Sequence, residues 1–223
     1  MAERGFQIWE IGYSVKQFPI LAWRIGHGGE TIHFYGGFHG DEPESVDLAL
    51  RLKNYLMKHP QNFLDKRLIV VPVVNIDGYE AKTRVNANGV DLNRNFPTQN
   101  WTSRASEEKY NPGKTPASEP EVGAVIKLIT EFPPRKIISF HSLIPHQINY
   151  DGPAEKLARA MAKHNSYPVT DHVGYATPGS LGTYAGTEQG IAVITYELPE
   201  KILPQKAWEC SLDAILEAIH FIL

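Results

Sequence analysis

Two short stretches of the sequence carry side chains that could share one metal ion. In GGFHGDEPE, positions 36–44, His39 and Glu42 stand three residues apart. Catalytic zinc takes three protein ligands and keeps one position open, so a third ligand should come from a distant part of the chain. His141 in ISFHS is the candidate, because it follows the apolar run 136–140. A His-x-x-Glu pair on a solvated turn is common by chance, so the pair needs this third partner to indicate a metal site.

Glu197 in VITYELP is a candidate general base. A metal hydrolase needs a group that takes a proton from water, and a carboxylate suits this task near neutral pH. Glu197 ends another apolar run. A charged residue in that place usually marks only the exit of a strand to solvent. The residue therefore indicates catalysis only in the company of the three candidate ligands.

The segment KTRVNANGVDLNRNFP, positions 82–97, adds polar groups that could hold a substrate. Arg84 and Arg94 bring planar guanidinium groups, and Asn93 precedes the second arginine. Arginine binds carboxylates through two parallel hydrogen bonds and can stabilise an oxygen that becomes negative during hydrolysis. The turn signal Asn88–Gly89 predicts that the two arginines lie on opposite arms of a hairpin-like excursion. Arginines on an exposed loop would otherwise be solvated.

Strands and helices that could position these residues alternate along the chain. Strands are predicted for apolar, β-branched runs at Pro19–Ile25, Thr31–Tyr35, Leu68–Val74, Lys136–Phe140 and Ala192–Leu198. Helical periodicity is found at Glu44–Met57, Glu119–Thr130, Ala154–His164 and Gln205–Leu223. The alternation predicts an α/β three-layer sandwich, a sheet with helices on both faces, in which ligands bind beyond the carboxyl ends of the strands. Positions 86–116 lack periodicity and are predicted to form a long loop region.

The composition excludes several classes of protein. With 223 residues and 42% hydrophobic content, we expect a single domain over residues 1–223. A net charge of -3 with interspersed charges gives no surface for nucleic acid or for an anionic membrane, so a small polar substrate is favoured. The single cysteine, Cys210, and an N-terminus without a secretory signal pattern lead us to expect a cytoplasmic protein. The composition predicts no oligomeric state.

Four motifs in fixed order resemble those of the zinc metallocarboxypeptidase family. They are HGDE, VDLNRNFP, SFHS and TYELP, and the resemblance runs from about residue 10 to residue 200. It implies a mixed central sheet and one Zn²⁺ per chain. It also implies that His39, Glu42 and His141 are the zinc ligands and that Glu197 is the general base.

The same resemblance implies roles for the residues of the arginine segment. Asn93 and Arg94 would bind the free carboxylate of the substrate, and Arg84 would polarise the scissile carbonyl. Asp91 would accept a hydrogen bond from His39 and fix its ring, since metal-bound histidines commonly donate their second nitrogen to a carboxylate.

The stretch Gly174–Pro199 is similar to the murein peptide amidases within that family. This similarity implies a bacterial cell-wall recycling enzyme that cleaves the amide between the side-chain carboxyl of D-glutamate and meso-diaminopimelate in murein tripeptide. Tyr175 would be the family's mobile tyrosine over the substrate. Gly179, Ser180 and Leu181 would lie near the pocket for the leaving amino acid. No acidic residue of this stretch stands out as a partner for the second ammonium group of diaminopimelate.

Three alternatives to this function remain open from the sequence. One is a carboxypeptidase of the same family that acts on peptidoglycan or on ordinary peptides. Another is an N-acyl amino acid deacylase, since related zinc folds pair Asn-Arg with a small acidic substrate. The third is a binding module whose zinc site is structural or lost, although such a module has no need of Glu197. Cobalt or manganese would also fit a His-Glu-His ligand set.

Overall fold

A central β-sheet organises the chain in the computed structural model, which describes residues 5–223. Its eight strands are β1 Phe6–Tyr13, β2 Pro19–Ile25, β3 Glu30–Tyr35, β4 Lys66–Val71, β5 Lys136–Ser142, β6 Gln147–Asp151, β7 Val169–Thr170 and β8 Ala192–Leu198. They lie in the order β1-β2-β4-β3-β5-β8-β6-β7. Strands β4, β3, β5 and β8 run parallel in the centre, and antiparallel partners flank them on both sides. The predicted mixed sheet is confirmed.

Helices cover both faces of the sheet. Their bounds are α1 Pro43–Lys58, α2 Ile76–Ala81, α3 Pro120–Glu131, α4 Glu155–Ala162 and α5 Pro204–His220. Because side chains of a strand alternate between the faces, the core is divided in two. One half packs α1, α4 and α5 against one face, and the other half packs α3 against the opposite face. The predicted three-layer α/β sandwich is therefore confirmed.

Several elements differ from the sequence prediction. Strand β4 ends at Val71 rather than Val74, and His141 lies inside β5 rather than after it. Strands β1, β6 and β7 and helix α2 were not predicted. Strand β6 reads QINYD, in which only two apolar residues, Ile148 and Tyr150, alternate with polar ones, and so short a run does not identify a strand by itself. The long loop over 86–116 is confirmed, with only two short 3₁₀ turns inside it.

The carboxyl ends of three central parallel strands meet at one edge of the sheet. Strand β3 leads into the segment of His39, β5 contains His141, and β8 contains Glu197. His141 and Glu197 are register partners on adjacent strands. This edge is where ligands bind in open α/β sheets. In the part of the chain from residue 5 onward, the helices are all too short or too polar to cross a membrane.

Candidate active site

The turn after β3 places two of the predicted metal ligands. Gly37 has φ +59°, and a Cβ atom there would lie 2.8 Å from a methyl group of Val46, so the tight turn requires glycine. The turn brings His39 over the edge of the sheet. Glu42 immediately precedes α1, whose first residue is Pro43. A proline at this position starts a helix without losing a hydrogen bond, and the helix start fixes the direction of the Glu42 side chain.

His39, Glu42 and His141 converge on one point, and each of the three is buried. Nδ1 of His39 lies 2.7 Å from Oε1 of Glu42 and 3.2 Å from Nδ1 of His141. Nδ1 of His141 lies 3.0 Å from Oε2 of Glu42. Two nitrogens at about 2.0–2.1 Å from a tetrahedral zinc ion stand roughly 3.3 Å apart, so the spacing of the two Nδ1 atoms fits shared coordination.

The outer nitrogens of both imidazoles are held by hydrogen-bonding partners. Nε2 of His39 lies 3.0 Å from Oδ1 of Asp91, and Nε2 of His141 lies 3.0 Å from Oγ of Ser139. A histidine that donates from Nε2 to a carboxylate presents the lone pair of Nδ1 on its other side. Nδ1 of His39 can therefore lie this close to the Glu42 carboxylate only when a proton or a metal ion is shared between them. The donor set fits a zinc ion.

Charges in the cluster shift the pKa values of its members. Burial and Arg84 lower the pKa of His39, but the carboxylates of Glu42 and Asp91 outweigh both and raise it to about 9. Burial raises the pKa of each of these carboxyl groups, but the neighbouring positive charges outweigh it and hold both values below their usual range. Burial lowers the pKa of His141. A cluster that attracts a proton so strongly also attracts a metal ion, because the two compete for the same lone pairs.

Glu197 is 6% exposed and lies beside the cluster, opposite His141 in the strand register. Burial raises the pKa of Glu197 to about 8, and the negative charge of Glu42 contributes to the rise. Across residues 5–223, its carboxylate accepts no hydrogen bond, and it faces the cavity. A carboxylate with a pKa raised toward neutrality is suited to accept a proton and to return it.

Arg84 and Arg94 have different surroundings. Arg84 donates from Nε to Oδ2 of Asp91 at 2.9 Å and lies 3.5 Å from Oε1 of Glu42. Arg94 is 4% exposed, donates to the Asn93 carbonyl at 2.7 Å and forms no ion pair within the described chain. A buried guanidinium without a carboxylate partner is costly, so Arg94 is the group that most needs an anion from outside.

The Asn93 side chain joins this segment to the predicted leaving-group pocket. Its Oδ1 accepts a hydrogen bond from the backbone N–H of Leu181 at 2.8 Å. Ser180 and Leu181 line the cavity, together with Asn93 and both arginines. Gly179 is not among the described residues that line it. Instead, a Cβ atom on Gly179 would lie 2.1 Å from the Arg94 carbonyl oxygen, so glycine there permits a close approach of two backbones.

The cavity over these residues has a volume of about 520 Å³. Tyr175 stands at its rim, 43% exposed, with the Arg94 guanidinium 5.8 Å from its ring centroid. Tyr110 lies close to both arginines: its ring centroid is 5.1 Å from the Arg84 guanidinium and 5.2 Å from that of Arg94. The cavity is thus the size of a small peptide site.

Tyr110 and Asp151 are residues of the cavity that the sequence analysis did not identify. Tyr110 belongs to the long loop, where nothing in the local pattern points to the arginines. Asp151 ends β6 and lines the same cavity. Asp151 is the first acidic residue after His141, but the direction of its side chain depends on a strand that the sequence did not predict.

Comparison with known proteins agrees with this geometry. The zinc carboxypeptidase family matches residues 5–209. Murein peptide amidase A of Vibrio campbellii is 38% identical over 200 residues, which cover 82% of this chain and 75% of the relative. Murein peptide amidase A of Escherichia coli K12 is 36% identical over 178 residues, covering 73% of this chain and 69% of the relative.

A solved structure extends the similarity to the whole fold. The crystal structure of a murein-tripeptide amidase from Escherichia coli O157 superimposes with a TM-score of 0.80 at 31% sequence identity. The superposition covers 97% of this chain and 92% of the other. The similarity therefore includes the flanking strands as well as the central parallel ones.

Proposed function

The chain belongs to the zinc carboxypeptidase family, and on that premise we propose that it hydrolyses the amide between γ-D-glutamate and meso-diaminopimelate in murein tripeptide. As a member of this family it is a zinc-dependent peptidase or amidase. The observation that carries the proposal is the convergence of His39, Glu42 and His141 beside Glu197. The similarity to proteins named murein peptide amidase supports the choice of bond.

His39, Glu42 and His141 are the residues that would hold the metal ion. Their donor atoms lie within 4.8 Å of one another, and the set of two imidazoles and one carboxylate is typical of catalytic zinc. Zinc, when bound, supplies a Lewis acid that makes water nucleophilic at neutral pH. Asp91 fixes the ring of His39 through Nε2, which keeps Nδ1 free to bind.

Glu197 is the proposed general base and acid. Its carboxylate takes a proton from the attacking water and then gives it to the nitrogen of the leaving amino acid. The raised pKa supports the second step, because the carboxyl group holds the proton until the leaving nitrogen takes it, and the positive charge of a bound metal would lower that pKa and favour the carboxylate for the first step. Its position on β8, opposite His141, keeps it within the same small volume as the ligands.

Arg94, Asn93 and Arg84 are proposed to hold the substrate. Arg94 has no carboxylate partner among residues 5–223, so it binds the free carboxylate of the leaving amino acid, and the Nδ2 group of Asn93 assists. Arg84 is fixed by Asp91 and directs its remaining N–H groups toward the scissile carbonyl oxygen. Docking both ends of the amide restricts the substrate to a reactive geometry.

The remaining elements of the proposal concern the rim and the cellular setting. Tyr175 is proposed to cover the bound peptide, since it stands at the rim near Arg94. Ser180 and Leu181 line the wall beside the leaving amino acid. One sheet takes strands from Phe6 to Leu198, which supports a single domain. A cytoplasmic location in a bacterium stays a prediction from the sequence.

Hydrolysis of murein tripeptide tests the proposed function. The purified protein is incubated with L-Ala-γ-D-Glu-meso-diaminopimelate, with and without a zinc chelator, and the products are weighed by mass spectrometry. We expect L-Ala-D-Glu and diaminopimelate without chelator, and no products with it. A second reaction with simple C-terminal dipeptides and an N-acetyl amino acid examines the alternatives. Cleavage of these compounds but not of the tripeptide would contradict the proposal.

A further inference from the structure

Asp151 is an acidic residue of the cavity that has no cationic partner in the described part of the chain. Asp151 ends β6 and lines the same cavity as Ser180 and Leu181. Across residues 5–223 its carboxylate forms neither an ion pair nor a side-chain hydrogen bond, in contrast to Glu42 and Asp91. Burial alone raises the pKa of Asp151 to about 6, so the group is a carboxylate at neutral pH but an uncompensated one.

Small residues make room for this carboxylate. A Cβ atom on Gly182 would lie 2.2 Å from Oδ2 of Asp151, and one on Gly186 would lie 2.6 Å from its Cβ. Any larger residue at either position would displace the Asp151 side chain. The two glycines belong to the π-helical turn Gly182–Thr187, which continues the wall formed by Ser180 and Leu181. The two glycines therefore leave space in the cavity wall for the Asp151 side chain.

The strand register gives the distance of Asp151 from the reaction centre. Gln147 is the register partner of Glu197, and Asp151 lies four residues further along β6 on the same face of the sheet. At about 3.3 Å per residue, this places Asp151 roughly 13 Å from the level of Glu197. The extended four-carbon side chain of a leaving amino acid spans about half of that distance. The side chains of Glu197 and Asp151, with their contacts to the substrate, span the rest.

We propose that Asp151 binds an ammonium group at the far end of the leaving amino acid's side chain, and so selects leaving groups by charge and by length. The inference rests on the proposed function and deepens it. Arg94 binds the α-carboxylate of the leaving residue, and Asp151 binds its distal ammonium group. Each end of the diamino acid is therefore recognised by a side chain of opposite charge. Diaminopimelate and lysine both carry this ammonium, and the assay distinguishes them.

Four substrates that differ only in the leaving residue test this inference. They are L-Ala-γ-D-Glu peptides that end in meso-diaminopimelate, lysine, norleucine, which lacks the ammonium, and 2,4-diaminobutyrate, which is too short. Each is assayed for kcat/KM with the wild-type zinc-loaded enzyme and with Asp151→Asn. The control variant is Asp171→Asn, which removes an exposed acid from the rim of the same cavity. Zinc content and thermal unfolding are measured for every variant.

For the wild type, we expect lysine or diaminopimelate to exceed norleucine by about 10- to 100-fold in kcat/KM, as for a hydrogen-bonded charge pair. Diaminobutyrate should behave like norleucine. Asp151→Asn should remove the preference for the ammonium group and leave kcat/KM for the norleucine peptide within about twofold of the wild-type value. Asp171→Asn should keep the preference for the ammonium group. A higher value for diaminopimelate than for lysine identifies the natural leaving group.

Two outcomes separate the failure of this inference from that of the proposed function. If the wild type cleaves none of the four peptides, the proposed function is wrong. If it cleaves them but Asp151→Asn keeps the full preference for the ammonium, Asp151 has no such role. A second variant, Gly182→Ala, retains the carboxylate but displaces it, and it should lose the same preference if the position of Asp151 matters.

Discussion

Two groups of buried or half-buried charged residues occupy opposite ends of the same parallel strands. At the amino ends, Glu30 begins β3, Lys66 begins β4 and Lys136 begins β5; we call these three the basal cluster. At the carboxyl ends, His39, Glu42 and His141 form the ligand cluster. Both groups take charge out of water, which is costly for any protein.

The basal cluster is satisfied by the chain itself. Nζ of Lys136 lies 3.0 Å from Oε1 of Glu30 and 2.7 Å from the Phe221 carbonyl oxygen, and Nζ of Lys66 lies 2.6 Å from the other oxygen of Glu30. Cations and anion alternate, and each finds a partner. The cluster joins three strands to the end of α5, and its charges need no partner from a ligand.

In the ligand cluster, imidazole nitrogens and a carboxylate lie close enough to compete for one proton or to share one metal ion. The Nδ1 atoms of His39 and His141 face each other and the Glu42 carboxylate, and Glu197 adds a second carboxylate beside them. Arg94, close by, has no anionic partner from residue 5 onward. Among the described residues, the ligand cluster therefore lacks a cation and Arg94 lacks an anion. This difference separates a binding site from a structural ion pair, because only the former requires partners from outside.

The largest expected effect follows from removing the base. Glu197→Gln keeps the size of the side chain but cannot accept the proton, so turnover on murein tripeptide should fall by about 10²- to 10⁴-fold. Zinc content should remain at one ion per chain, as measured by atomic emission. The exposed Glu188→Gln serves as the control on the nearby turn. Turnover near the wild-type level in Glu197→Gln would remove the assignment.

Arg94, which forms no ion pair within residues 5–223, should matter for substrate binding, in contrast to the paired residues of the basal cluster. Arg94→Ala should lower kcat/KM by about 10²-fold for peptides with a free carboxylate, because the bound anion loses its partner. Peptides with a C-terminal amide should be affected far less, which paired assays will measure. The exposed Arg104→Ala is the matched control. An equal loss on both kinds of peptide would show that Arg94 does not read the carboxylate.

A substitution in the basal cluster should lower the free energy of unfolding without changing the turnover of the folded enzyme. Lys136→Met leaves Glu30 with only one cation and two carbonyl groups without their donor, so the free energy of unfolding should fall by about 3 kcal/mol. Urea denaturation measures this loss. Turnover per folded molecule should stay at the wild-type value. The exposed Lys206→Met should change stability by no more than about 0.5 kcal/mol. A loss of turnover with unchanged stability would reverse the roles of the two clusters.

The smallest effect is expected at Tyr110, whose ring contacts both arginines. Each guanidinium lies within cation–π distance of its face, so Tyr110→Ala should raise KM by about 3- to 10-fold through misplacement of Arg94. Tyr110→Phe keeps the face and should restore the wild-type KM. Steady-state kinetics separates KM from kcat. An equal defect in both variants would mean that the hydroxyl, rather than the ring, is needed.

The sequence predicted those parts of the site that depend on local order. The apolar run of β3, the glycine pair and Pro43 together indicate a strand, a turn and a helix start, so the place of His39 and Glu42 followed from neighbouring residues. The alternation of strands and helices likewise predicted the layers. For the ligand set as a whole, the order of four motifs added the evidence that spacing alone lacked.

The remainder of the site depends on contacts between distant segments. Strand β6 is recognised only by its pairing with β8, and the direction of Asp151 follows from that register. Tyr110 reaches the arginines because Asn111 accepts a backbone hydrogen bond from Asp91 at 2.8 Å, which ties the loop down. Both contacts involve partners that are distant in the sequence. A polar strand and an aperiodic loop are the features that local propensity predicts least well.

Anomalous diffraction from a crystal of the zinc-loaded protein tests the central claim most directly. At the zinc absorption edge, we expect one strong peak per chain, in contact with Nδ1 of His39, Nδ1 of His141 and the carboxylate of Glu42, with Glu197 beside it and not bound. The peak should vanish in His141→Ala. A peak elsewhere in the chain, or none in protein that hydrolyses the tripeptide, would contradict the account.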